Sequence, residues 1–166
     1  MSSQSVSQSG SQDVKDAQAS EFGHSELAID ADDVVTRDAV ALTHRYFELF
    51  NQQAFDALCR LFLLDGELMP PFESGIVGRA SILAYLQKAA KGMEAFPKDW
   101  EVRSLENDDR IITVIGKVSA VLFKVNIKWH FWVVRSHEDT DQLAIKKARI
   151  KLIASPTELL SLRDKR

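Results

Sequence analysis

The hydrophobic period of this chain changes near Pro97, and that change narrows the choice of fold more than any other feature. Upstream, Val35, Ala39, Leu42, Tyr46 and Phe50 recur three and four residues apart, the mark of an amphipathic helix, which Asn51 ends. A second, short helix follows, with Phe55, Leu58, Cys59 and Phe62 on one face. Downstream, in KVNIKWHFWVV (124–134), Val125, Ile127, Trp129, Phe131 and Val133 fall on one face, and Asn126, Lys128, His130 and Trp132 on the other. The first set points inward. A strand over 111–122 precedes it, and one over 143–153 follows, with Ala144, Ala148, Ile150 and Leu152 on the inner side. Helices first and antiparallel strands afterwards predict an α+β fold, in which helices cover one face of a strongly curved, mostly antiparallel sheet and enclose a pocket. The other face is partly wet, and Lys147, Arg149 and Lys151 make it basic.

Between these halves, DGELMPP (65–71) reads as a turn and a strand that the prolines close, because proline cannot donate to a sheet ladder. The following PPFESGIVGR sets rigid and flexible turn residues beside apolar side chains; Leu68, Pro70 and Phe72 are candidates for the mouth of a cavity. Residues 79–91, RASILAYLQKAAK, are strong helix formers, with Ile82, Leu83, Tyr85 and Leu86 apolar and Gly92 where a helix stop belongs. A last short helix is expected in SPTELLSL (155–162), where Ser155 caps, Pro156 suits the first turn and Glu158 completes the box.

Residues 1–32 are rich in Ser and Gln and poor in large apolar side chains, so burial cannot repay their ordering entropy, and disorder is expected. Residues 33–166 then form a single domain, long enough to bury a core without metal or disulfide. Asp13, Asp16, Glu21, Glu26, Asp30, Asp32 and Asp33 stand against Lys15 in the first 33 residues, so the net charge of −3 divides into an acidic segment and a mildly basic body. The lone Cys59 excludes an internal disulfide and reads as a small core hydrophobe. His24, His44, His130 and His137 show no metal spacing, and no basic run is interleaved with aromatics as nucleic-acid binding would require. Nothing reads as a signal peptide or an integral membrane segment, so a cytoplasmic protein is expected.

RYFELFNQQAFDALCRLFLLDGELMPPFESGIVGR (45–79), VNIKWHF (125–131) and LIASPTELLSL (152–162) together resemble the C-terminal domain of the cyanobacterial orange carotenoid protein and its free-standing homologues. The likeness runs over about residues 38–163; PPF with IVG after it, and ASPTELL, are its most specific pieces. It implies the cone-shaped fold of nuclear transport factor 2. It also implies a pocket for one end of a ketocarotenoid of the echinenone or canthaxanthin type, serving transport or photoprotection. In the family, a tyrosine of the first helix and a tryptophan of a central strand donate to the ring carbonyl; Tyr46 and Trp129 stand at those motif positions. The chemistry agrees: a carbonyl oxygen has two lone pairs, a phenol can donate, and an indole can only donate. A carotenoid is longer than one such domain, so the resemblance implies a homodimer when loaded, or a helical carotenoid protein as partner. Between Lys117 and Asn126 the chain is shorter than the family pattern and lacks its aromatic and its Gly-Gly-Asn turn.

Two other classes stay open on the residues alone. The same fold hosts steroid isomerases, polyketide cyclases and dehydratases, and Tyr46 also matches the tyrosine that serves as acid in the isomerases. Where their base would stand, this chain has Pro70, which moves no proton. The third class is a ligand-free association domain that pairs through its sheet.

Overall fold

The computed structural model describes residues 31–139 and 141–153. Residues 1–30 of the segment expected to be disordered (1–32) and the expected helix at 155–162 lie outside the described residues; Ala31 and Asp32 begin a helix. The chain divides into two compact units, Met1–Val34 and Val35–Arg166, and the sheet lies in the second.

Helix α1 (Ala31–Asn51) buries Val35, Ala39, Tyr46 and Phe50 of the expected stripe, leaves Leu42 half-buried, and adds Phe47 and Leu49. Its end is tied to the sheet by a side chain that imitates a strand. Asn51 Nδ2 donates to the Ala95 carbonyl at 2.9 Å, and its Oδ1 accepts from the Ala95 N–H at 2.7 Å. Helix α2 (Phe55–Cys59) buries Phe55, Leu58 and Cys59 and stops short of Phe62. Phe62, expected on that helix, instead opens strand β1 (Phe62–Met69). The reason is a tertiary bond one residue earlier: the Ile145 N–H donates to the Leu61 carbonyl at 2.8 Å, committing the chain to the sheet. Pro70 follows the last residue of β1, as the ladder argument requires.

A two-residue strand β2 (Ile76–Val77) leads into helix α3 (Arg79–Ala89), whose Arg79 guanidinium donates twice to the Phe62 carbonyl, at 2.9 and 2.7 Å. Strands β3 (Glu94–Ser104), β4 (Arg110–Ser119), β5 (Lys124–Arg135) and β6 (Leu143–Ile153) complete the sheet. Its order is β2-β1-β6-β5-β4-β3; β1 runs parallel to β6 and the remaining pairs are antiparallel. β3 was not foreseen as a separate strand, because EAFPKDWEVRS contains a proline and few alternating apolar residues. It is tolerated as the outermost strand, where Pro97 disturbs only an edge. Opposite it, Gly116 lets the two backbones close: a Cβ there would run into the Phe96 carbonyl oxygen.

Register shifts occur between Phe62 and Glu67, Pro97 and Asp99, and Trp132 and Val133. Such bulges bend strands and increase their twist. The last one also corrects an expectation. Trp132 pairs with Lys147 but Val133 pairs with Ile145, so Lys146 is the extra residue and the alternation of β6 reverses there. Ile145 takes the inner face, and Ala144 turns to the opposite one, where it clusters with Leu63 and Val134. Ala148 and Ile150 keep the side expected of them. The helices thus pack on one face of a six-stranded sheet, an α+β arrangement with its core between the two layers.

Candidate functional site

The core is not filled everywhere. A cavity of about 260 Å³ lies against the inner face of the sheet. From α3 come Tyr85, Leu86 and Ala89, and from the end of α1 comes Phe50. Strands β4 and β5 supply Val118, Val125, Ile127 and Trp129, while β6 supplies Ile150 and Leu152. Their register explains why they face together: Val118 pairs with Val125, Gly116 with Ile127, and Trp129 with both Val114 and Ile150, all on one side of the pleat. Pro70, Pro71, Phe72, Met93 and Phe123 line it from the connecting segments.

Of the residues singled out from the sequence, Trp129, Pro70 and Phe72 meet at this cavity. Leu68 is fully buried in the core and does not line it. Tyr46 is 1% exposed and lies behind the wall. Its ring is held by aromatic neighbours: Phe131 at 5.0 Å and Phe47 at 5.4 Å edge-on, and Phe50 stacked at 6.3 Å. Phe50, stacked on Tyr46, lines the cavity, whereas Tyr46 does not. Phe47 stands edge-on to Trp129 at 4.8 Å and bridges the two predicted donors.

The Tyr46 hydroxyl is the buried side-chain polar atom left without a hydrogen-bond partner among the described residues. Burial, then the neighbouring Cys59 and Tyr85, raise its pKa far above the ordinary phenol value, so it stays a neutral donor at any physiological pH. Contrast Thr43, also buried: its hydroxyl donates to the Val40 carbonyl at 2.7 Å and accepts from the Trp100 indole at 3.2 Å. Buried polar groups are almost always satisfied, so this unpartnered hydroxyl, on a ring stacked against a lining residue, is an exception among the described residues. Cys59 is buried and its thiol is pushed up to about 11, chiefly by burial and then by Asp56, which keeps it protonated and unreactive.

Sequence reasoning missed Tyr85, Met93 and Phe123 as lining residues. Tyr85 was visible as an apolar helix position, but nothing local distinguishes a side chain facing a void from one facing a packed core. Burial, then Glu73, raise the Tyr85 pKa as well, so it too stays a neutral donor. The described lining contains no carboxylate, histidine, lysine or arginine. Among the described residues, no group of three or more His, Cys, Asp or Glu is placed to hold a metal ion.

Helices on one face of a mostly antiparallel sheet, with an apolar void between the layers, define a nuclear transport factor 2-like domain. Nuclear transport factor 2 from Cryptosporidium parvum superposes on 76% of the chain and all of its own length, with a TM-score of 0.64 at 15% identity, which speaks for the fold alone. The chain is a homologue of the orange carotenoid-binding proteins, over the part that carries this fold. It is 32% identical over 120 residues to the orange carotenoid-binding protein of Synechocystis sp., covering 70% of this chain and 36% of that protein. The orange carotenoid protein of Anabaena (Nostoc) sp. binding canthaxanthin matches with 28% identity and a TM-score of 0.61, over 72% of this chain and 38% of that one. The chain thus spans a little over a third of the length of these relatives. No protein-family model matches it.

Proposed function

We propose that the chain is a carotenoid-binding protein that holds one end of a ketocarotenoid, of the echinenone or canthaxanthin type, for transport or photoprotection. The observation that carries this reading is the apolar cavity lined by Trp129, together with the unsatisfied hydroxyl of Tyr46, whose ring stacks on the lining residue Phe50. A ketocarotenoid end ring brings apolar surface for the lining and one carbonyl oxygen for two donors. Burial of the polyene supplies most of the affinity, at about 25 cal/mol per Å² of apolar surface, and each hydrogen bond adds roughly 0.5–1.5 kcal/mol. The carbonyl fixes position and tunes colour. Contact with Tyr46 requires the wall to rearrange, since Tyr46 does not line the void. Pro70 and Phe72 hold the entrance in a stiff turn. Similarity to a canthaxanthin-binding relative supports the choice of ligand.

Catalysis by proton abstraction needs a positioned base, and the described lining offers none; Tyr46 and Tyr85 are both held neutral. The binding reading therefore carries more of the structure than an isomerase-like one. Half of a bound carotenoid extends beyond one domain, so the loaded protein is a homodimer or is covered by a helical carotenoid protein. The test is production in ketocarotenoid-making cells. A coloured protein whose molar mass by light scattering doubles on loading is expected. Folded, colourless protein from such cells refutes the reading.

A further inference from the structure

The opening of the cavity is more apolar and more exposed than holding a ligand requires. Strands β4 and β5 are joined by a tight hairpin in which the Ala120 N–H donates to the Phe123 carbonyl at 2.8 Å, leaving Val121 and Leu122 at the tip. Tips this short ordinarily take Asn, Asp or Gly. Here Val121 is 93% and Leu122 is 92% exposed. From a separate loop, Phe72 is 92% exposed, in a left-handed backbone conformation (φ +62°) that aromatic residues rarely adopt. Phe72 and Phe123 line the same cavity, so two unrelated loops bring bare apolar side chains to one opening. None of this contributes to the core.

We propose that this rim docks on an anionic lipid bilayer, with the Val121–Leu122 tip and Phe72 entering the acyl boundary so that the cavity opens onto the membrane. Charge on the hairpin selects the lipid. Between Asp109 and Glu138 the chain has no acidic residue, yet it carries Arg110, Lys117, Lys124, Lys128 and Arg135. Lys117 and Lys124 flank the tip within a few residues, and long lysine side chains keep their ammonium groups at the headgroups while the apolar tip goes deeper. Lys88 stands in the last turn of α3 and Lys91 two residues past its end, before the cavity residue Met93; Glu73 and Glu94 are acidic residues near these segments in sequence. Shape points the same way. A protruding two-residue tip needs a matching notch on a protein, whereas a bilayer yields around it. In purpose the proposal rests on the binding reading, because a water-insoluble guest that meets the cavity at the membrane never crosses water.

The test uses the full chain, produced without carotenoid, in flotation with phosphatidylcholine vesicles made with and without phosphatidylglycerol. The protein is expected to float with the anionic vesicles and far less with the neutral ones. The Val121→Ser/Leu122→Ser variant, altered only at exposed positions, is expected to keep its circular dichroism and lose partitioning by about tenfold or more. A Leu122→Trp variant is expected to shift its emission to the blue on anionic vesicles and to be quenched by lipid brominated on the acyl chain. Wild-type protein left in the aqueous phase with both vesicle types overturns the proposal, as does flotation that the tip variant leaves unchanged. A dimer that the tip variant turns into a monomer, with no flotation by either, gives the rim to a second copy and also overturns it. Because the flotation uses pigment-free protein and vesicles, it is independent of the colour of protein made in ketocarotenoid-making cells: flotation of a chain that folds colourless in those cells overturns the ligand reading alone, and failure to float of a chain that those cells yield coloured overturns the docking alone.

Discussion

Removing the Tyr46 hydroxyl should move stability and ligand binding in opposite directions. In the free protein the hydroxyl is buried and has no partner among the described residues, and its ring is packed by Phe47, Phe50, Phe62 and Phe131. A hydroxyl buried without a partner costs about 1–3 kcal/mol relative to water. Tyr46→Phe deletes that cost and leaves the ring where it is, so the ligand-free variant is expected to gain about 1 kcal/mol or more. For a chain of this size that is a rise in Tm of roughly 2–4 °C per kcal/mol. Loaded protein should show the reverse: loss of one hydrogen bond to the guest carbonyl weakens retention by about 0.5–1.5 kcal/mol and shifts the absorption band. Paired thermal melts and pigment titrations of wild type and variant read both. A fall of several degrees in the ligand-free Tm would refute the reasoning, because the hydroxyl would then already have a partner in the folded state.

Trp129→Phe keeps an apolar wall but removes the indole donor, so release of a ketocarotenoid should speed up roughly two- to tenfold while a carotenoid without a carbonyl is held as before; stopped-flow transfer compares them. Gly116→Ala places a methyl against the Phe96 carbonyl and the Pro97 backbone, and should cost about 1–3 kcal/mol in urea unfolding. His130 is held below its usual pKa by burial and then by Lys151, Lys128 and Arg149, so the unfolded chain binds its proton more readily. Its contribution is therefore full above the unfolded value near pH 6.5 and is lost as pH falls through the lowered folded value. His130→Gln should flatten the stability-versus-pH curve on that acid side, with little change above neutrality.

Local order was legible in the sequence because it depends on neighbours along the chain. The stripe through Val35, Ala39, Tyr46 and Phe50 and the alternation from Val125 to Val133 each dictate one buried face whatever packs on it. Those two periods, in that order, also determined the α+β class. What only the tertiary structure decided involves partners distant in sequence. Phe62 reads as helical by spacing, yet Ile145 draws the chain into the sheet at Leu61. Ala144 and Ile145 exchange faces because β6 must accommodate Lys146 as an extra residue opposite β5, and a bulge leaves no mark on a two-residue period. The candidate site was half visible for the same reason. Trp129, Pro70 and Phe72 face the void as their patterns suggested, whereas Leu68 and Tyr46, just as apolar in setting, are sealed behind neighbours. A cavity exists where side chains from helix, strand and loop fail to meet, and no single stretch of sequence encodes that gap.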